Sequence, residues 1–233
     1  MSNEIIFTDT GNIPEAYYPK PASGSVPDWY KNMVSYLGNG KIPTGTKNTN
    51  ATIKRCMPVF DAMTAGYILY TFTDIYVSQK DGYPYFNWNS YVPIQFHAIE
   101  QAPTHPSRGS LKDSGLYPKF MNPWAIKTPK GYSTLFTQPM HRESVFTILD
   151  GVVDTDNYTS QVNFPFVLND WNFEGMIPAG TPMVQVIPFK RKSWQMQIGN
   201  EKNLQEANKV NTYLLTSFFD SYKNKFRKPK KYK

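Results

Sequence analysis

Cysteine is almost missing from this chain. Cys56 is the only one in 233 residues, which excludes an internal disulfide and any zinc site built on several thiolates. It sits between Arg55 and Met57 and is expected to be a buried, inert thiol. Histidine is nearly as scarce: His97, His105 and His141 are the whole supply, and no H-x-H or H-x-x-x-H spacing occurs. Two of them with Glu100 could hold a metal, but a hydrogen-bonded structural histidine accounts for each. No P-loop, G-x-G-x-x-G, C-x-x-C or Ser-His-Asp order is present. No apolar run approaches the length of a membrane span, and the first residues lack a basic region followed by an apolar core. These absences predict a soluble protein of a reducing, cytoplasmic compartment with no metal site.

What is present favours strands. Hydrophobic residues make up 40% and aromatics 15%, mostly 16 Tyr and 15 Phe. With 19 Pro and 14 Gly, long helices are disfavoured over most of the length. The expectation is an all-β domain with one helix near its end. Net charge is +7, and residues 223–233 alone carry seven Lys or Arg with no acid. The basic balance therefore describes a tail. Its plain reading is a solubilising, disordered terminus, and its functional reading is an arm for nucleic acid or another polyanion.

Four parts follow: an extended arm over 1–50, a β-barrel core over 51–199, an amphipathic helix over 200–226 and a basic tail over 227–233. The arm is rich in Pro and Gly, yet it interleaves Tyr17, Tyr18, Trp29, Tyr30 and Tyr36. So many rings predict packing on the body or on a neighbouring subunit rather than a flexible linker. Residues 28–37 suit a short helix capped by Asp28 and ended at Gly38. Residues 58–65 suit a helical turn. Strands are predicted over 66–78, 83–88, 91–101, 132–137, 146–149, 161–168 and 183–189. Lys80-Asp81-Gly82 marks a hairpin, while Thr128 to Gly131 and Pro178-Ala179-Gly180 mark turns. Residues 102–118 read as a long loop holding His105, Arg108 and Lys112. Trp194-Gln-Met-Gln-Ile198 alternates and predicts a further strand. Leu204, Ala207, Val210, Leu214, Leu215 and Phe218 recur at helical spacing and predict a helix over 201–226.

Several polar residues are candidates for chemistry. Asp150, Asp154 and Asp156 crowd one turn. They could bind Mg²⁺ or supply a base, but Asp residues also form Asx-turns with their own backbone. Gln185 interrupts an apolar strand, where it either faces outward or meets a ligand. Lys190-Arg191-Lys192 with Trp194 makes a short basic and aromatic patch, suited to phosphates or to blocking edge pairing.

Two resemblances follow from motifs in the second half. The segments N-P-W-A-I-K-T-P-K-G-Y-S-T-L over 122–135, L-D-G-V-V-D-T-D over 149–156 and A-G-T-P-M-V-Q-V-I-P over 179–188 resemble a family of bacterial and phage proteins of unknown function. More distantly, D-G-V-V-D-T-D-N-Y over 150–158 followed by P-A-G-T-P-M-V-Q-V over 178–186 is similar to the dUTPase and dCTP deaminase superfamily. That similarity implies a β-clip or jelly-roll barrel or sandwich, often trimeric. It places Asp154 on the aspartate that orients water and the sugar. Tyr158 falls near the sugar-stacking tyrosine, one residue late, and Gln185 on the glutamine of the final strand. The family's R-S-G motif has no full counterpart, since Arg142 and Ser144 are separated and no Gly follows. The Gly-rich C-terminal phosphate loop is replaced by lysines, and the deaminase glutamate is missing.

Two functions follow as expectations. One is a non-enzymatic binding or assembly protein on a dUTPase-like barrel, a homo-oligomer or part of a larger assembly such as a phage particle, in the host cytoplasm or the virion. It needs no cofactor. The other is a nucleotide hydrolase or deaminase, with Asp154 as base, Gln185 orienting, Tyr158 at the sugar, Arg142 on a phosphate and Mg²⁺ as an aid. On the superfamily match, Asp154 should be buried at the barrel mouth beside Tyr158 and Gln185.

Overall fold

Branched and aromatic residues in short alternating runs make this chain a β protein, and turn residues set where each run stops. The computed structural model describes residues 4–42, 49–89, 92–98, 116–217 and 220–233. In chain order the elements are β1 (Ile6–Asp9), β2 (Lys20–Pro21), α1 (Asp28–Asn32), α2 (Met57–Met63), β3 (Tyr67–Tyr70), β4 (Ile75–Lys80) and β5 (Tyr83–Trp88). There follow β6 (Ile94–Ala98), β7 (Leu116–Phe120), β8 (Trp124–Lys127), β9 (Tyr132–Thr137), β10 (Phe146–Ile148) and β11 (Gly151–Val153). The last are β12 (Phe164–Leu168), β13 (Gly175–Ile177), β14 (Pro182–Lys190) and α3 (Glu201–Thr216).

Every described pairing of these strands is antiparallel. The central sheet runs β11-β9-β14-β3-β2, a second runs β10-β12-β7-β6, a third β13-β4-β5, and β1 pairs with β8. The architecture is all-β with one C-terminal α-helix of length, as the composition predicts. One apolar core joins the sheets. Phe120, Phe146 and Phe166 meet at its centre, with the Phe120 and Phe166 rings stacked 4.0 Å apart. Strand β14 passes through it, and Met183, Val184, Gln185 and Val186 are all buried.

Several boundaries differ from the sequence reading. The 66–78 run divides into β3 and β4, because the Asp74 carboxylate accepts from the Ala179 N–H and the Thr71 hydroxyl donates to the Pro178 carbonyl. The Thr71 N–H and carbonyl still bond the Thr181 carbonyl and the Gly180 N–H, and beyond them these side-chain bonds hold the turn. Helix α1 stops at Asn32 and has Pro27, not Asp28, at its cap position. Of the predicted 91–101 strand, residues 94–98 form β6 and residues 92–93 do not join it, while 91 and 99–101 lie outside the described residues. Residues 99–115, which hold Glu100, His105, Arg108 and Lys112, lie outside the described residues. Residues 116–118 open β7 instead of closing a loop. Strand β12 starts at Phe164, and Gln161 makes only an isolated bridge to Ala125.

The termini differ more. Trp194 to Ile198 is not a strand. It has the right alternation, but no neighbour among the described residues offers it a ladder. Helix α3 ends at Thr216, and a short π-helical turn follows at Tyr222–Phe226. The basic tail is not loose. Arg227 and Lys230 both pair with Asp61 on α2, and the Tyr67 hydroxyl donates to the Lys233 carbonyl. Arg227 foremost holds the Asp61 carboxyl below the usual carboxylate range. The N-terminal arm packs on the body of its own chain through β1, β2, the buried Tyr30 and the edge contact of Tyr18 with Trp124. Cys56 is half-buried rather than buried.

Turn chemistry is read correctly where it is local. Asp81 and Gly82 both take positive φ in the β4–β5 hairpin, and Gly180 does so after Pro178. Gly66, where the chain leaves α2 for β3, is the tightest position. Its φ is +69°, and a Cβ there would lie 1.9 Å from the Val186 carbonyl oxygen. Gly66→Ala is expected to cost roughly 2–4 kcal/mol, from the left-handed backbone and the collision with β14 together. Urea unfolding followed by tryptophan fluorescence checks this. Gly24→Ala, with open space around the added methyl, is the matched control.

Candidate functional site

The D-T-D turn after β11 is built around its middle residue. Thr155 is fully buried, and its hydroxyl bonds those of Thr128 and Thr134, each at 2.7 Å. With Thr155 pinned inward, Asp154 projects to the surface, while the Asp156 side chain lies covered beneath Arg191. Asp156 accepts from the Gly131 N–H at 2.7 Å, which ties the turn to the T-P-K-G-Y turn before β9. Arg191, one residue beyond β14, donates to Asp156 and lies 3.1 Å from Asp154. Asp154 also accepts the Ser133 hydroxyl at 2.6 Å. Asp150 stands apart and accepts from the Gln138 N–H. The three motifs that carry the sequence resemblances thus dock on one another, the first two through Thr128 on Thr155 and Gly131 on Asp156, and the third along β9 through Ile187 opposite Leu135 and Pro188 opposite Thr134.

Asp154 is therefore a surface residue. Its side chain is 59% exposed and pairs with a guanidinium, the reverse of the expected buried carboxylate. Among the described residues, no group of three His, Cys, Asp or Glu is placed to hold a metal ion. The Arg191 guanidinium, and after it the Gly131 N–H, hold the Asp156 carboxyl down to about 2. Of the basic and aromatic patch, Arg191 serves this turn, and Trp194 stands in the open.

Gln185 is the opposite case. It lies on β14 with no exposure at all, so the outward-facing reading is corrected. Its Nε2 donates to the Ala62 and Ala65 carbonyls at the end of α2, at 2.8 and 2.7 Å. Its Oε1 accepts from the Met140 N–H at 2.9 Å. Three of the four bonds an amide can make are thus used on backbone, and the glutamine acts as a clamp.

Asp154, Tyr158 and Gln185 are not brought together within the chain. The pairing Val153↔Thr134 puts Asp154 beside Ser133, while Gln185 pairs with Thr137. Four residues of strand separate them, roughly 13 Å. Tyr158 faces away, exposed, and its hydroxyl donates to the Gln161 carbonyl. The reason is register: β9 and β14 run past each other at full extension, and the D-T-D turn docks at one end while the clamp sits in the middle.

Arg142 does approach Gln185, through a shared loop. The Met140 N–H is held by Gln185, the His141 carbonyl accepts from the Trp29 indole, and Arg142 donates through Nη1 to the Ser25 carbonyl. The Arg142 Nε and Nη2 are buried without a partner among the described residues. Burial foremost pushes its guanidinium below the ordinary value. His141 takes a positive φ in this turn, and His97 lies on β6. The sequence reading missed Thr155, Ser133 and Thr128. The available signal was the Thr between two Asp residues, since alternation past a strand end buries the middle one.

No protein-family model matches the chain, and no curated protein matches its sequence, so the resemblance to the bacterial and phage family rests on the motifs alone. Solved structures similar to it include dUTPases. One is the dUTPase of EIAV, at 14% identity and TM-score 0.33, covering 59% of this chain and 84% of that one. Another is a dUTPase mutant from phage phi11 of S. aureus, at 12% and 0.31, covering 59% and 84%. A third is a dUTPase mutant of Staphylococcus bacteriophage 80alpha with dUpNHpp, at 12% and 0.32, covering 72% and 86%. At such TM-scores the likeness carries no argument about activity.

Two outcomes follow from this geometry. Gln185→Leu should lower stability by roughly 2–4 kcal/mol, because it takes the side-chain partner from the Met140 N–H and from the Ala62 and Ala65 carbonyls, of which Ala62 keeps a bond from the Ala65 N–H. Asp154→Ala should stay within about 1 kcal/mol, as for an exposed ion pair. Equilibrium urea unfolding of both variants reads the contrast. The second outcome concerns acid. Asp156 has a folded-state pKa near 2, below the ordinary value of about 3.9, so its contribution is present above that value and lost as pH falls towards 2. The urea midpoint of the parent should therefore fall more steeply between pH 4 and pH 2 than that of Asp156→Asn.

Proposed function

We propose that this chain is a homo-oligomeric binding or assembly protein on a dUTPase-like β fold, working without a catalytic centre of its own. One observation carries the reading. Residues 192–216 leave the body at the end of β14 and put their apolar side chains into water. Trp194 and Met196 are each 88% exposed, Ile198 is 87% exposed, and Leu204, Val210 and Leu215 on α3 are exposed as well. A monomer gains nothing from this display, and a partner surface would bury it. The segment is held at both ends, by β14 on one side and by the Arg55–Asp220 ion pair on the other. It is a handle fixed to the body.

The hydrolase reading draws no support from Gln185, Asp154 or Tyr158. Gln185 spends its amide on backbone, Asp154 is engaged by Arg191 and Ser133, and Tyr158 faces elsewhere. The tail reading as a nucleic-acid arm loses Arg227 and Lys230 to Asp61.

Size-exclusion chromatography with light scattering tests the proposal. The expected mass is a multiple of 26.8 kDa, reduced towards the monomer by Trp194→Ser with Ile198→Ser. A wild-type monomer at every concentration overturns it. A panel of deoxynucleotides with and without Mg²⁺ should leave the melting temperature unchanged, and a shift would favour the hydrolase.

A further inference from the structure

A cavity among the described residues lies apart from the handle. It is a groove of about 430 Å³ between two sheets, lined by Tyr83, Tyr85, Phe86, Phe96, Pro118 and Trp171, with Lys80 and Asp81 at one end. Its two walls are strand edges. Strand β5 ends the β13-β4-β5 sheet and β6 ends the β10-β12-β7-β6 sheet, each with one described partner. Tyr83, Tyr85 and Phe96 are exposed along it. The Trp171 indole donates to the Gly82 carbonyl and meets the Tyr83 ring edge-on, so that end is held in shape.

Among the described residues the chain thus carries an apolar groove whose edges have no second strand partner and, elsewhere, an apolar stretch that alternates like a strand but has no strand partner. Trp194, Met196 and Ile198 share one side of that stretch, with Gln195 and Gln197 on the other. The two do not meet within the chain, since Trp194, Met196 and Ile198 all stand in water. Strands β4 and β13 pair from Val77↔Gly175 to Ile75↔Ile177, and β3 and β14 continue from Tyr70↔Pro182 to Tyr67↔Val186. The groove lies beyond the Val77 end and the handle leaves beyond the Val186 end.

Resting on the assembly reading, we infer that the groove between β5 and β6 receives the 194–198 segment of a second copy. The Trp194 indole would fill the aromatic cavity, and the segment's backbone would add to one of the free edges. This is strand addition, in which main-chain bonds give affinity and alternate side chains give register. The contact is head-to-tail, because groove and segment are different surfaces. It therefore builds a closed ring where the rotation closes, and a chain of copies where it does not.

Two cysteine variants, both carrying Cys56→Ser, test this by mixing. Ser193→Cys, beside Trp194, is made untagged, and Lys80→Cys, at the end of the groove, carries a size tag. Both positions are exposed, so neither change disturbs the core or removes an anchor of the contact. Under mild oxidation the mixture should give a disulfide-linked pair of one tagged and one untagged chain. In parallel, Tyr85→Glu with Phe96→Glu should shift the light-scattering mass towards the monomer, with the melting temperature held within a few degrees. No mixed pair and an unchanged oligomer in the Glu variant would overturn the groove assignment while leaving the assembly reading standing. A wild-type monomer would remove both.

Discussion

The fold turns on one buried amide. Strand β14 crosses the core with Met183, Val184 and Val186 fully enclosed, and Gln185 is enclosed with them. A buried amide without partners would cost several times what a good hydrogen bond contributes. The chain must therefore bring backbone to it. The end of α2 supplies two carbonyls and the 138–142 loop supplies an N–H. That requirement sets where α2 lies and forces the left-handed exit at Gly66. It also fixes the loop that presents Arg142 to Ser25 and His141 to Trp29. Much of the N-terminal arm is thereby seated on the body.

The second fixed point is the D-T-D turn. Its buried threonine is what locks it, and the aspartates are set by that burial. Arg191 then closes over both carboxylates at the place where β14 ends. The same arginine marks where the chain leaves the body, so one ion-pair network anchors the D-T-D turn and the base of the handle. The far end of the handle is anchored separately, by Asp220 on Arg55 and by Arg227 and Lys230 on Asp61. Charge in this protein holds its C-terminal third in place before it is available to any partner.

Local chemistry was legible in the sequence. The β4–β5 hairpin at Asp81-Gly82, the turn at Pro178 to Gly180, strand β9 and the existence of α3 follow from turn residues and periodicity, which act over a few residues. So does the all-β class, since it depends on composition. The motifs over 122–135, 149–156 and 179–188 were visible as patterns, and they do dock on one another.

Other features depended on partners distant in the chain, and the tertiary structure alone decided them. Alternation made 194–198 look like a strand, but a strand exists only where a neighbour completes its ladder. Gln185 looked outward because its three partners lie some 45 to 120 residues away in sequence. The seven cations of the tail looked free because Asp61, which takes two of them, sits on α2. The acids at 154 and 156 looked like a site, and the register of β9 on β14 made them an anchor. Sequence determined which segments extend, turn or coil, because those choices are local. The tertiary structure decided which polar groups are spent on the fold and which apolar ones remain exposed, because burial belongs to pairs of residues that only folding brings together.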